Sequence, residues 1–417
     1  MKELTITKQQ ARRFILAHQG LLPPYELEGK AGILDFIGRV GCIQFDPLNI
    51  VGHNHELVLQ ARVSGFRSAM LQELLYEDRK LLDGWDKQMA IYCIEDWPYF
   101  HYRKREAAGR SRRRSADPIK AVSPQIIKAI EERGPLSSID LDHDRKVDWS
   151  WGPKRLANVA LDNMLYLGEV VIHHKVHTRK VYDLASRHIP EELLSAPDPH
   201  QTQEQYHDWH VLRRVGSSGL LWNKGSAWPW IYGARTRERA AALIRLIKQG
   251  KAIEVRVEGI KTPLYMRSED RTELDSVIKS DELLPRAAVL APLDNLLWDR
   301  ELVKQLFGFD YTWEVYKPVV ERRYGYYVLP VLYGDRFIAR FEPGIDKESG
   351  ALVIKNWWWE PDVIRSEEMR SELEQCFIRF LNYLGTDDIL VDSRIMEKDV
   401  IGILAGVVRR RQAGANR

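Results

Sequence analysis

Leu167-Gly168-Glu169-Val170-Val171-Ile172, followed after a basic turn by Lys180-Val181-Tyr182-Asp183-Leu184, decides how this chain is read. The glycine stops a helix that begins at Pro153, and two apolar runs flanking a short polar turn make a β-hairpin. The pattern recurs. Residues 236–249 are periodic as a helix and end at Gly250, and residues 252–257 and 263–266 flank a turn at Gly259. Helix, glycine stop and two-stranded wing, twice over, predict tandem winged-helix modules, each a helix-turn-helix with a β-wing. Upstream, Ser123-Pro124 opens a helix through Arg133, and Gly134-Pro135 turns the chain towards Pro153.

Towards the N-terminus, Thr7-Lys8-Gln9-Gln10 is a capping box, and Phe14, Ile15 and His18 form a helical stripe that stops at Gly20. Ile33, Leu34, Ile37 and Val40 mark a second helix closed by Gly41. Residues 56–63 are expected as a strand, 68–82 as a helix and 88–94 as a strand. Beyond Pro285 the texture changes to short strands at 287–290, 324–332, 337–341 and 351–358, with a helical stretch at 294–300 and a covering helix at 366–384. That predicts a small β-barrel or open sheet, followed by a frayed basic tail at 409–417. The expected class is α+β: winged-helix modules at 1–118, 119–198 and 199–284, and a small C-terminal β-barrel with its covering helix at 285–417.

With 417 residues the chain exceeds one ordinary core. Its net charge of +3 is small, so any case for nucleic acid rests on where the charge lies. Cys42, Cys93 and Cys376 are far apart and form no CxxC pair, which fits a reducing compartment and suggests neither zinc nor an iron–sulfur cluster. No apolar run has the length of a membrane span, and Met1 to Thr7 lacks the pattern of a signal peptide, so a soluble cytoplasmic protein is expected.

The charge lies on the elements that ordinarily meet DNA. Arg103, Lys104, Arg105, Arg110, Arg112, Arg113 and Arg114 crowd the segment before the helix-turn-helix of the 119–198 module; Lys154, Arg155, Lys175, Arg179 and Lys180 mark its second helix and wing; Arg213, Arg214, Arg235, Arg237 and Arg239 mark the next module. Such runs are either solvated surface or phosphate contacts that position a duplex.

The chemistry sits at Gly41-Cys42-Ile43-Gln44-Phe45-Asp46-Pro47-Leu48. Strand alternation puts Gln44 and Asp46 on one face, opposite Ile43 and Phe45. A carboxylate there suits hydrolysis through an oxocarbenium-like sugar, and a carboxamide can hold the attacking water or a sugar oxygen. The structural alternative is that Asp46 caps a helix with Pro47 as its first residue. His53 and His55 flank Asn54 and are either polar surface or contacts to DNA near the reacting sugar. With no third ligand nearby, they predict no metal site. Trp357-Trp358-Trp359 is either barrel core or a surface that stacks an extruded base or wedges into the duplex. No Gly-rich phosphate loop or nucleophile elbow is present.

Gln44-Phe45-Asp46, the repeated helix and wing, Asp294-Asn295-Leu296-Leu297-Trp298-Asp299-Arg300, Tyr324-Gly325-Tyr326-Tyr327-Val328-Leu329-Pro330-Val331-Leu332 and Gly334-Asp335-Arg336 together resemble the YcaQ-like, or AlkZ/AlkX, family of winged-helix DNA glycosylases. The resemblance covers nearly the whole chain. It implies tandem winged helices in a C shape with a C-terminal β-barrel closing on DNA. It also implies a monofunctional enzyme that releases N7-alkylated purines and unhooks interstrand crosslinks, with no cofactor. Gln44 and Asp46 match the family's glutamine-x-aspartate version of the catalytic triplet, which is associated with broader tolerance of monoadducts and crosslinks. Glu56 and Leu57 stand where family members carry a denser histidine run. The expected partner is double-stranded DNA containing alkylated or crosslinked purines, bound by a monomer through His53, His55, Arg103, Lys104, Arg112, Arg113, Lys154, Arg155, Arg179, Arg235 and Arg237.

Two other classes use the same elements. A winged-helix transcription regulator needs the basic helices and not Asp46, so an Asp46→Asn protein would keep its function. A recruitment module would bind a protein through the barrel.

Overall fold

Thr7 ends a strand, Leu4–Ile6, and starts a helix, Lys8–His18, through a reciprocal cap: its hydroxyl accepts from the Gln10 N–H at 3.1 Å and the Gln10 side chain accepts from the Thr7 N–H at 2.9 Å. A second helix, Gly29–Val40, stops where Gly41 takes a φ of +79°. The structure, a computed structural model, describes residues 4–109, 116–148, 152–228, 231–280, 284–393, 395 and 398–415. Its class is α+β, and its chain divides into two units. Among the described residues no helix is long and apolar enough to cross a membrane.

The first unit comprises Met1–Leu71, Val211–Pro229 and Arg235–Arg417. In it Leu4–Ile6 runs parallel to Ala252–Val257, whose other edge pairs antiparallel with Leu264–Arg267. The helix Thr236–Lys248 precedes this hairpin, with Gly250 at φ +69° between them. A second sheet has the order Ala287–Val289, Leu329–Tyr333, Arg336–Ile345, Leu352–Trp359, Ile389–Val391. Its last pair is parallel and the rest antiparallel. This sheet is open among the described residues, so the expected barrel is not closed here. The helix Glu367–Leu384 covers it instead, with Phe377 edge-on to Phe341 at 5.5 Å, so the apolar face is buried without the sheet curling onto itself. Trp357 belongs to this core, stacked on Phe341 at 5.7 Å.

The second unit comprises Gln72–His210 and Trp230–Ala234. The helices Ala116–Arg133 and Leu156–Leu167 pack with the hairpin Val170–Val176 and Arg179–Leu184 around Ile126, Ile130, Ala160, Met164, Val170 and Ile172. Leu81–Asp86 and Gln88–Cys93 form a further antiparallel hairpin.

Several local expectations change; the strand expected at 324–332, for one, spans only Leu329–Tyr333. Residues 56–63, expected as a strand, belong mostly to a helix, Asn54–Gln60, because Glu56 accepts from the His53 N–H at 3.1 Å and starts a turn. The helix Ser68–Tyr76 ends short of residue 82, since Arg79 takes a φ of +51° and Leu81 starts a strand. Pro124 lies inside Ala116–Arg133 and does not open it. The tail is helical, Lys398–Ala415, held where Arg411 Nη1 donates to Asn382 Oδ1 at 2.7 Å.

Candidate active site

The Gln44-Phe45-Asp46 triplet starts in a buried three-residue strand, Cys42–Gln44, in the first unit. Two asparagines hold that strand by its carbonyls. Asn295 Nδ2 donates to Cys42 O at 2.9 Å, and Asn54 Nδ2 donates to Gln44 O at 2.9 Å. Asn54 Oδ1 accepts in turn from the Leu293 N–H at 2.9 Å. Beside them Arg62 forks onto Asp294 at 2.9 and 2.7 Å, both groups fully buried, and also donates to Gln19 O and Val58 O. The Asp294–Arg300 run that carries much of the family resemblance is therefore the support on which the triplet rests.

Past Gln44 the chain leaves regular structure, so the alternation expected to carry Gln44 and Asp46 onto one face ends with the strand. Asp46 is half-buried and its Oδ1 accepts from the Leu48 N–H at 2.9 Å. That is an Asx turn. Because the next helix begins at Asn54, Asp46 is not a helix cap. Burial raises its carboxyl above the ordinary range, against the opposing Leu48 N–H and the charge of His53. The Tyr316 and Tyr327 hydroxyls are both raised by burial, with the negative charge of Asp46 adding to the effect. Tyr327 is buried, whereas Tyr316 is 84% exposed.

Phe45, His55 and His53 form a stack beside the turn. Phe45 lies 5.0 Å from His55 at 21°, and His55 lies 5.4 Å from His53 at 17°. His55 is buried and His53 half-buried. Glu56 faces His53 Nδ1 at 3.3 Å and accepts from the Tyr383 hydroxyl at 3.4 Å. Burial works to raise the Glu56 carboxyl, but the hydrogen bonds and charge of His53, with the charge of His55, bring it down to about 2. Glu56 is thus the third potential ligand that the sequence reading did not supply: donor atoms of His53, His55 and Glu56 lie within 4.8 Å of one another. The two imidazoles are stacked nearly parallel, however, so their in-plane lone pairs do not converge. This favours a hydrogen-bonded His53–Glu56 pair with His55 stacked on it over a chelate.

The basic candidates separate. Arg103 is buried, its guanidinium donating to Trp85 O and lying 4.7 Å from the Phe100 and Tyr166 rings. Lys104 is buried against Trp97, 3.0 Å from the ring centroid; burial, with Arg103 adding, pushes its amine well below the lysine range. Both are withdrawn from the phosphate-contact set, because packing claims their charge. Arg155 is committed to Asp144 and, at 3.0 Å, to Leu141 O. Lys154 is half-buried, while Arg179, Arg235 and Arg237 are exposed. Arg112 and Arg113 lie outside the described residues.

The sequence reading missed Asn54, Glu56, Tyr316, Tyr327 and Tyr383 as parts of the site. The spacing of His53 and Glu56, suited to a cap three residues apart, was the available signal for the first turn of the helix.

A family model described as DNA glycosylase AlkZ-like matches residues 37–383. Among solved structures, the chain is similar to the Streptomyces sahachiroi DNA glycosylase AlkZ, with a TM-score of 0.60 over 93% of this chain and 100% of that one, at 14% sequence identity. At that identity the likeness bears on the fold.

Proposed function

The chain belongs to the AlkZ-like DNA glycosylase family, and from that premise we propose that it hydrolyses the N-glycosidic bond of N7-alkylated purines and unhooks interstrand crosslinks joined through them, leaving abasic sites. The observation that carries this reading is Asp46: a half-buried carboxylate, raised by its burial, two residues beyond a strand clamped by two asparagines. An N7-alkylpurine is already cationic, so its departure needs little acid help, and the enzyme's task is to stabilise the sugar cation and supply water. Asp46 does the first by charge and the second as a base made stronger by burial. Gln44 orients the water or the sugar. The aromatic stack of Phe45, His55 and His53, with exposed Tyr316, offers flat faces for a displaced base.

The helix-plus-hairpin units ending at Leu184 and Arg267 are read as winged helices that lie along a duplex, with Lys154, Arg179, Arg235 and Arg237 contacting phosphates and His53 near the reacting sugar. Because a crosslinked base stays tied to the opposite strand, the reaction takes place in an open groove, by a monomer, on chromosomal DNA in the cytoplasm. No lysine nucleophile is invoked, so the enzyme is monofunctional.

The deciding experiment is release of free 7-methylguanine from methylated duplex DNA by the intact protein, Asp46→Asn and Gln44→Ala. Loss of release by roughly two to four orders of magnitude in Asp46→Asn, with DNA binding retained, supports the assignment. Full release by that variant, or a borohydride-trapped protein–DNA adduct, overturns the proposed roles.

A further inference from the structure

We propose that the hairpin Val170–Val176 and Arg179–Leu184, with the turn that follows it, forms a binding site for a divalent transition metal ion of the Zn2+ type, held by His173, Asp183 and His188. In a regular strand His173 and His174 would point to opposite faces. The register shift between Ile172 and His174 brings them together instead, Nδ1 to Nδ1 at 2.7 Å. One proton serves both nitrogens; with His173 Nδ1 as the donor in this contact, its Nε2 keeps the lone pair that a metal takes. A ligating histidine is ordinarily held in this way, by a hydrogen bond at its other nitrogen.

Asp183 is buried and already oriented. Its Oδ1 accepts from the Leu184 N–H at 2.8 Å and from Arg187 Nη1 at 3.0 Å, which leaves Oδ2 to face His188 Nε2 at 2.7 Å. One ring nitrogen each from His173 and His188 and one carboxylate oxygen from Asp183 lie within 4.8 Å of one another. The His173 and His188 rings cross at 71° with centroids 5.3 Å apart. Crossed planes allow in-plane lone pairs to meet at one point, unlike the parallel stack of His53 and His55. Two imidazoles and one carboxylate suit Zn2+, with water completing the shell. Arg79, which donates to His173 O at 2.9 Å, and Arg187 both bring positive charge close by. They oppose a cation and set the affinity below that of an all-thiolate site. The spacing His-His-x8-Asp-x4-His matches no familiar motif, and only the bulge and the turn assemble it. The site lies wholly within the second unit, and a metal there would clamp the hairpin to the turn after it.

The test uses tag-free, full-length protein stripped with chelator and titrated with ZnCl2 in a calorimeter, alongside His173→Gln and His188→Gln. The expected result is uptake of about one ion per chain with a rise in thermal midpoint, and binding weakened roughly tenfold or more in each variant. No uptake by the unaltered protein, or uptake that both variants retain, overturns the site. Should a variant fail to fold, Co2+ added to the unaltered protein decides the matter. A strong visible band of tetrahedral cobalt supports the site, and the weak spectrum of the hydrated ion rejects it.

Discussion

Asn295 donates its side-chain amide to the carbonyl oxygen of Cys42 at 2.9 Å, joining residues 253 positions apart. That bond fixes the strand from which Gln44 and Asp46 are presented. Asn295→Ala leaves a buried carbonyl without this donor, at about 1–3 kcal/mol of stability. The expected outcome is a lower denaturation midpoint together with a fall in base-release rate larger than any loss of DNA affinity. Asn54→Ala, which removes the Asn54 donor from Gln44 O, acts in the same direction. An Asn295→Ala enzyme with unchanged rate would show that the triplet holds its position without this bond.

Gly52 takes a φ of +116°, and a Cβ added there would overlap the Tyr383 hydroxyl. Gly52→Ala therefore meets both an unfavourable backbone and a steric conflict, and should cost about 1–3 kcal/mol in a chemical denaturation curve. Removing the hydroxyl with Tyr383→Phe should give back part of that cost in the double variant, measured as a coupling energy in a double-mutant cycle. Strict additivity would mean that the conflict is relieved elsewhere.

Because burial raises the Asp46 carboxyl, its charged form is lost at a higher pH than for an ordinary carboxylate of about 3.9. On the proposed mechanism base release needs the charged form, so the rate should fall on acidification with a midpoint above that value. A single-turnover pH profile checks the sign. A midpoint at or below the ordinary carboxylate value would remove Asp46 from the role of base.

Glu56 titrates in the opposite sense. Its folded value of about 2 lies below the unfolded value of about 4.3, so its interactions stabilise the fold above the unfolded value. That contribution, on the order of 3 kcal/mol, is lost as the pH falls from about 4.3 to about 2. Glu56→Gln should therefore flatten the acid limb of the stability curve, read by denaturant titration at several pH values, while changing little of its slope above pH 6.

The helices and hairpins were legible where a local signal specified them: the Thr7 cap, Gly41, and the glycine stops at Gly168 and Gly250. Residues 56–63 were not, since Leu57, Val58 and Leu59 form an apolar run whose period does not separate a buried strand from a buried helix. Gln44 and Asp46 were legible as candidates. Their supports, Asn54 with Leu293 and Asn295 with Cys42, are joined only by the fold, and no spacing in the sequence encodes a bond across some 240 or 250 residues. The burial of two basic candidates was hidden for a related reason: composition counts the charge of Arg103 and Lys104 but does not show that both pack against aromatic rings.

The parallel ladder between Leu4–Ile6 and Ala252–Val257 also bears on how the protein is born. Leu4–Ile6 leaves the ribosome well before its partner, which follows only after about 250 further residues are made, a wait of roughly 10–50 s at ordinary elongation rates. Most of the second unit, Gln72–His210, emerges as one continuous stretch and is able to fold during that wait. The unit that carries Asp46 is sealed by chain made later. A nascent protein cut short before residue 252 should leave Leu4–Ile6 as an unmatched edge, open to pairing with other chains.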